Sequence, residues 1–131
     1  MRGYVAMTAH EVAEFMATGS FDVSDIYAPT SQFIVDHQDL DDEEIEYTLS
    51  MVAAEDSVEM KSETSGTACV LAFEVPAESI SESHDMSISL STPLKWENVE
   101  CLFEVSADGQ ELTWFATQEI SQNLSTWLKQ A

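Results

Sequence analysis

Residues 67–75, Thr-Ala-Cys-Val-Leu-Ala-Phe-Glu-Val, are the stretch that most constrains this chain. Successive side chains of a strand point to opposite faces, and here both alternating sets are apolar for most of the run. Such a segment belongs inside a sheet, with neighbours on either edge. The run therefore predicts a central strand, and the rest of the chain has to supply its surroundings.

The flanking segments read as alternating strands and helices. "RGYVAMT" (2–8) is expected as a first strand. Thr8, three residues before Glu11, forms a capping-box pattern, and Val12, Phe15 and Met16 follow at helical spacing until Gly19. This predicts a helix over about 9–18. "SDIYAPT" reads as a short strand ended by Pro29, after which Thr30 or Ser31 caps a helical turn through Phe33, Ile34 and Val35. Acids gathered at "DHQDLDDEE" (36–44) precede a helix expected over about 41–59, with Ile45, Leu49, Val52 and Ala53 on one face.

Beyond the central run, "SETSG" (62–66) is expected as a loop and "PAESISESHD" (76–85) as a polar connection. "MSISLS" (86–91) suggests a half-exposed strand, and "TPLKWEN" (92–98) turns the chain. "VECLFEV" (99–105) alternates, with Val99, Cys101, Phe103 and Val105 on one side. Asp108-Gly109 is a hairpin signal, so "QELTWFATQ" (110–118) is expected to pair back antiparallel. Trp114 and Phe115 then point to opposite faces, and one of them needs a cover. A last helix is expected from about Ser121, with Leu124, Trp127 and Leu128 as its stripe. The expected fold is α+β, a single domain over 1–131. It has an antiparallel or mixed sheet of five to six strands and helices packed mainly on one face.

Charge is the outstanding compositional feature. Four basic residues, Arg2, Lys61, Lys95 and Lys129, stand against 25 acidic ones, a net −21. Such a surface repels phosphate, which argues against direct nucleic-acid or anionic-membrane binding. It suits a basic protein partner, and it equally suits solubility or a salt-adapted cytoplasm. No apolar run approaches the ~20 residues of a membrane span. The first residues lack the basic-then-apolar layout of a secretory signal, so a cytoplasmic location is expected. Cys69 and Cys101 lie in apolar, strand-like runs and read as buried reduced thiols.

No catalytic set assembles from spacing. Asp36, Asp39, Asp41 and Glu44 offer oxygen ligands, but without the glycine and closing glutamate of a calcium loop they read as a solvated stretch feeding a helix N-terminus. His10, His37 and His84 each sit in a polar stretch near acids, and none has a second histidine one helical turn away. No nucleophile elbow or glycine-rich phosphate loop is present. Neither a metal nor a cofactor is expected.

Several blocks together resemble a family of short uncharacterised cytoplasmic bacterial proteins, a domain of unknown function. Its members begin Met-Arg-x-Tyr, carry an acidic Glu-x-Glu-Tyr helix followed by an Ala-Ala pair and a Ser, and close on Trp-Tyr/Phe-Ala-Thr-Gln-Glu. The matching positions are Met1, Arg2, Tyr4, Glu44, Glu46, Tyr47, Ala53, Ala54, Ser57 and 114–119. The closing block is the most specific. Between Val99 and Asp108 this chain departs from the pattern, passing through a tight hairpin where members often carry a longer segment. The resemblance implies no reaction. It marks Arg2, Tyr47, Trp114, Gln118 and Glu119 as residues to consider together for ligand binding, with Arg2 expected to pair with Glu46 or Glu119.

Three functional readings follow. The favoured one is a non-enzymatic protein-interaction module with a strongly negative surface. The second is a ligand-binding or enzymatic site at those five residues. The third is a nucleic-acid mimic that blocks a DNA-binding protein, which needs acids in two phosphate-spaced rows.

Overall fold

The computed structural model describes residues 1–61 and 67–129. The expected loop at 62–66 lies outside the described residues. Nine strands and four helices follow in chain order: β1 (Arg2–Thr8), α1 (Ala9–Thr18), β2 (Ser20–Phe21), β3 (Asp25–Tyr27), α2 (Ser31–Asp36), α3 (Asp42–Lys61), β4 (Ala68–Glu74), β5 (Ile80–Ser83), β6 (Ser87–Leu90), β7 (Leu94–Lys95), β8 (Val99–Val105), β9 (Leu112–Ala116) and α4 (Thr117–Lys129). Short 3-10 turns precede β5 and β8.

Seven strands form one antiparallel sheet in the order β5-β6-β3-β1-β4-β8-β9, and β2 and β7 pair as a small ribbon. The apolar run at 67–75 is indeed interior: β4 pairs with β1 on one edge and β8 on the other, and Ala68–Phe73 are all buried. The sheet has more strands than the five to six expected. The addition is the edge strand β5, which lies in the segment read as a polar connection, while the two-residue β2 and β7 pair outside this sheet. Apart from Ile80, β5 is exposed, so its side chains carry no buried face for a pattern to reveal.

Local signals set most boundaries. Thr8 and Glu11 complete the capping box of α1, and Gly19 closes it in the left-handed conformation. Thr30 caps α2 through the Phe33 N–H. Asp41 and Glu44 exchange backbone and side-chain bonds at the start of α3, so these acids act as a capping box. Gly109, at φ 75, makes the turn between β8 and β9.

The helices are divided between the two faces of the sheet rather than gathered on one. α1 and α4 cover the face formed by Val5, Met7, Leu71, Phe73 and Leu102, adding Val12, Phe15, Ile120 and Trp127. α3 and α2 cover the other, where Tyr4, Ala68, Val70, Ala72 and Cys101 meet Phe33, Ile45, Leu49, Ala53 and Ala54. A central strand apolar on both sides needs both covers. On α3 the buried stripe takes in Ala54, whereas Val52 is half-buried.

Two further boundaries differ from expectation. β4 pairs with β8 in step up to Ala72↔Cys101, then skips to Phe73↔Val99. Glu100 is therefore the extra residue of a β-bulge, which rotates Val99 out of line with Cys101, Phe103 and Val105 and onto the α1–α4 face. The last helix begins at Thr117, four residues before Ser121. Glu119 is the reason: its Oε1 accepts from the Ala116 N–H at 2.9 Å, which caps the helix from its third residue. The Thr117 hydroxyl donates to Val99 O at 3.0 Å and ties this start to the bulge.

Candidate functional site

The first residues of β1 place Arg2 on the α3 face of the sheet, beside the Glu100 bulge. The Arg2 guanidinium lies 3.5 Å from a Glu100 oxygen and 3.9 Å from one of Glu46 on α3. Its Nη2 donates to Cys101 Sγ at 3.4 Å, and its charge sits 5.8 Å from the centre of the Tyr4 ring. The Nε–H faces Glu100 without hydrogen-bond alignment and has no partner. Burial alone would lower the Arg2 pKa, but the charges of Tyr4, Cys101, Glu46 and Glu100 together hold it above its ordinary value.

The same surroundings act on their neighbours. Burial pushes the Tyr4 hydroxyl up to about 12, against the opposing pull of Arg2. Burial likewise raises the Cys101 thiol, partly offset by Arg2 and by a hydrogen bond from the Trp114 indole. Cys69, pushed to about 12 by burial and by Glu104, lies on the opposite face. The two cysteines are on adjacent strands, but Cys69 is opposite Glu104 and Cys101 opposite Ala72, so their side chains leave the sheet on opposite sides. Both are free and buried.

Beside Arg2 a hollow of about 300 Å³ opens, lined also by Tyr4, Glu43, Glu46, Tyr47, Ser50, Phe103 and Leu112. Tyr47 stands at its edge with 61% of its surface exposed, and a second hollow on the far side of Tyr47 is lined by Leu40, Glu43, Glu44 and Thr48. Trp114, 57% exposed, is paired across the strands with Phe103 and shares its face of β9 with Leu112. Two large aromatics thus stand in solvent around a neutralised arginine, with carboxylates at the rim.

Of the five residues singled out in the sequence, the structure gathers Arg2, Tyr47 and Trp114 around this face. It does not bring Glu119 to Arg2: Glu119 is the cap of α4, and Arg2 takes Glu46 and Glu100 as its carboxylates. Gln118 is exposed on the first turn of α4, the helix packed on the other face. Glu100, Cys101 and Phe103 belong to the arrangement and were not expected there. Alternation in "VECLFEV" carried a signal for Cys101 and Phe103, but nothing in it marks a bulge at Glu100.

His37, His84 and the Asp41–Glu44 pair have local roles. His37 stacks on Phe33 with Nδ1 2.9 Å from the Phe33 carbonyl, and His84 Nε2 lies 2.8 Å from Ser89 Oγ at the sheet edge. Among the described residues no three His, Cys, Asp or Glu side chains are placed to hold a metal ion, and no helix is long and apolar enough to cross a membrane.

Fold and site thus define an acidic α+β domain with one antiparallel sheet between helical layers. A family model matches residues 1–107, and the chain belongs to that family of unknown function, DUF6912. The match ends before β9, so the block 114–119, the most specific part of the resemblance seen in the sequence, lies beyond it. No curated protein and no solved structure matches the chain.

Proposed function

We propose that this protein is a non-enzymatic interaction module of the bacterial cytoplasm. In this reading it docks a basic segment of a partner protein on the face around Tyr47 and Trp114. The observation that carries the reading is the exposure of these two aromatics beside Arg2. Tryptophan, tyrosine and arginine dominate the energetics of protein interfaces, where a few anchors supply most of the affinity. Exposed aromatics of this size gain more from a partner than from water. The rim of Glu43, Glu44, Glu46 and Glu100 sets the sign of that partner, and the overall −21 would speed its encounter.

The alternative of a small-ligand site at Arg2 has less support. Arg2 already faces two carboxylates, which occupies the group best suited to an anionic ligand. Its hollow also lies at the small end of ligand pockets, which run from roughly 300 to 1,000 Å³.

The test is affinity capture from a bacterial extract at low and high salt, using the wild type, Tyr47→Ala, Trp114→Ala and the surface control Glu97→Gln. The expected result is a basic protein retained by the wild type and the control, weakened by either alanine, and released as salt screens the rim. A set of captured proteins identical for wild type and both alanine variants would sink the proposal.

A further inference from the structure

A larger cavity than the one beside Arg2 lies elsewhere, where the sheet itself opens. β1 and β3 pair at a single rung, Tyr4↔Tyr27. Beyond it β3 follows β6 through Asp25↔Ser89, while β1 stays with β4 over its whole length. The two strands part, and Val5 and Ala6 are left facing Asp25 and Ile26 across a cavity of about 550 Å³. This volume is well within the range of small-molecule sites.

The lining has a consistent chemistry. Phe21, Val23, Ile26 and Met60 supply apolar walls. Four carboxylates, Glu11, Asp22, Asp25 and Asp56, reach the same space, and no described lining residue is basic. Three of these acids are fixed by one bond each. Glu11 accepts from the Thr8 N–H, Asp25 from the Ser89 hydroxyl, and Asp56 from the Tyr27 hydroxyl. A carboxylate anchored through one oxygen still accepts at the other, and its position is set before any ligand arrives. Burial first, then the bond to Asp56 and the charges of Asp56, Glu55 and Glu59, push the Tyr27 hydroxyl up to about 12, so it stays a donor to Asp56.

We propose that this cavity binds a small organic cation, an ammonium group carried on an apolar body. The apolar walls take the body, and the oriented carboxylates take the charge. Anions are repelled by the lining, and a neutral analogue of the same shape forfeits the charge-assisted bonds. The site is separate from the Tyr47–Trp114 face, sharing only Tyr4 as a wall, so either assignment stands or falls without the other.

The experiment is an amide-resolved NMR titration of the full chain with phenethylamine at neutral pH, repeated with 2-phenylethanol, its uncharged counterpart. Saturable shifts are expected at Val5, Ala6, Val23 and Asp25 with the amine, with an affinity at least about tenfold above that of the alcohol. Asp22→Asn with Asp56→Asn should weaken the amine by a further factor of about ten, because asparagine keeps the acceptor for Tyr27 but removes the charge. Glu78→Gln with Glu97→Gln, the same change in net charge at an exposed site elsewhere, should leave it unchanged. Equal affinity for amine and alcohol, shifts spread over the acidic surface, or equal weakening by both double variants would each overturn the assignment.

Discussion

The two faces of the central sheet are covered by different means. On the α1–α4 side the core is built of large side chains. Phe15 packs on Phe21, Phe73 and Trp96, and Trp127 meets Phe115 edge-on while donating to Glu104 at 2.8 Å. On the α3 side the contact is between small residues: Ser50, Ala53, Ala54 and Ser57 of the helix lie over Ala68, Val70 and Ala72. The buried hydroxyls of Ser50 and Ser57 donate back to the carbonyls of Tyr47 and Ala54, so they need no partner across the interface. Two helices and bulky side chains close the first face. On the second face the long α3 lies close on β1 and β4, with short α2 beside it, and the face stays open beyond Phe103. Two tryptophans record the result, Trp127 with 1% of its surface exposed and Trp114 with 57%. Closure is thus a matter of which helix reaches which strand, and the open remainder is where the proposed docking face lies.

The widest separation between the faces should come from these tryptophans. Trp127→Ala is expected to cost about 3–5 kcal/mol in denaturant unfolding, through lost burial and the cavity left behind. Trp114→Ala should stay within about 1 kcal/mol. Similar costs for the two would contradict the contrast of a closed and an open face. The small-residue contact should show the opposite sensitivity to size. Ala53→Leu has no space beneath α3 and is expected to lose about 1–3 kcal/mol by overpacking, again read from the unfolding midpoint.

A smaller effect distinguishes cap from ligand group at Glu119. Glu119→Ala should lose about 1 kcal/mol of stability by freeing the Ala116 N–H, with no change in partner capture on the other face. A loss of capture with stability intact would restore Glu119 to the site.

The alkaline limb of stability probes the α3 face through Tyr4 and Tyr27, which are cross-strand neighbours there. Their folded-state pKa values, about 12, stand above the ordinary tyrosine value of 10.0. A raised folded value means that the unfolded chain loses these protons first, so their contribution is complete below pH 10 and is lost as pH rises through about 12. The midpoint of unfolding should therefore fall between pH 10 and 12, less so in Tyr27→Phe, and tyrosinate absorbance in the native protein should lag that of the unfolded chain. Thiol labelling gives a last comparison: Cys69 and Cys101, one beneath each face, should both resist a thiol reagent until unfolding, having raised pKa values and buried sulfurs.

Much of the scaffold follows from chemistry local to the chain. The capping box at Thr8 and Glu11, the stop at Gly19, the cap at Thr30 and the Asp108-Gly109 turn are local chemistry, and each acts within a few residues. The acids of 41–44 were legible as a helix start for the same reason. The site was legible only in part. Arg2, Tyr47 and Trp114 stood out as aromatic and basic residues in distinctive blocks. Their carboxylate partners could not be chosen, because Glu46, Glu100 and Glu119 are equivalent on paper and are separated only by where the sheet and helices carry them.

By itself, then, the sequence determined the elements. The periodicity of 67–75 made a central strand, the caps bounded the helices, and 25 acids against four bases made the surface negative. These depend on the nearest neighbours along the chain and on composition. Tertiary structure alone decided the division of helices between two faces, the skip in strand pairing that turns Glu100 toward Arg2, and the parting of β1 from β3 that opens the cavity. Each depends on a balance between elements distant in sequence: a bulge needs a partner strand, a parting strand needs a competitor, and a face is open only when no helix reaches it.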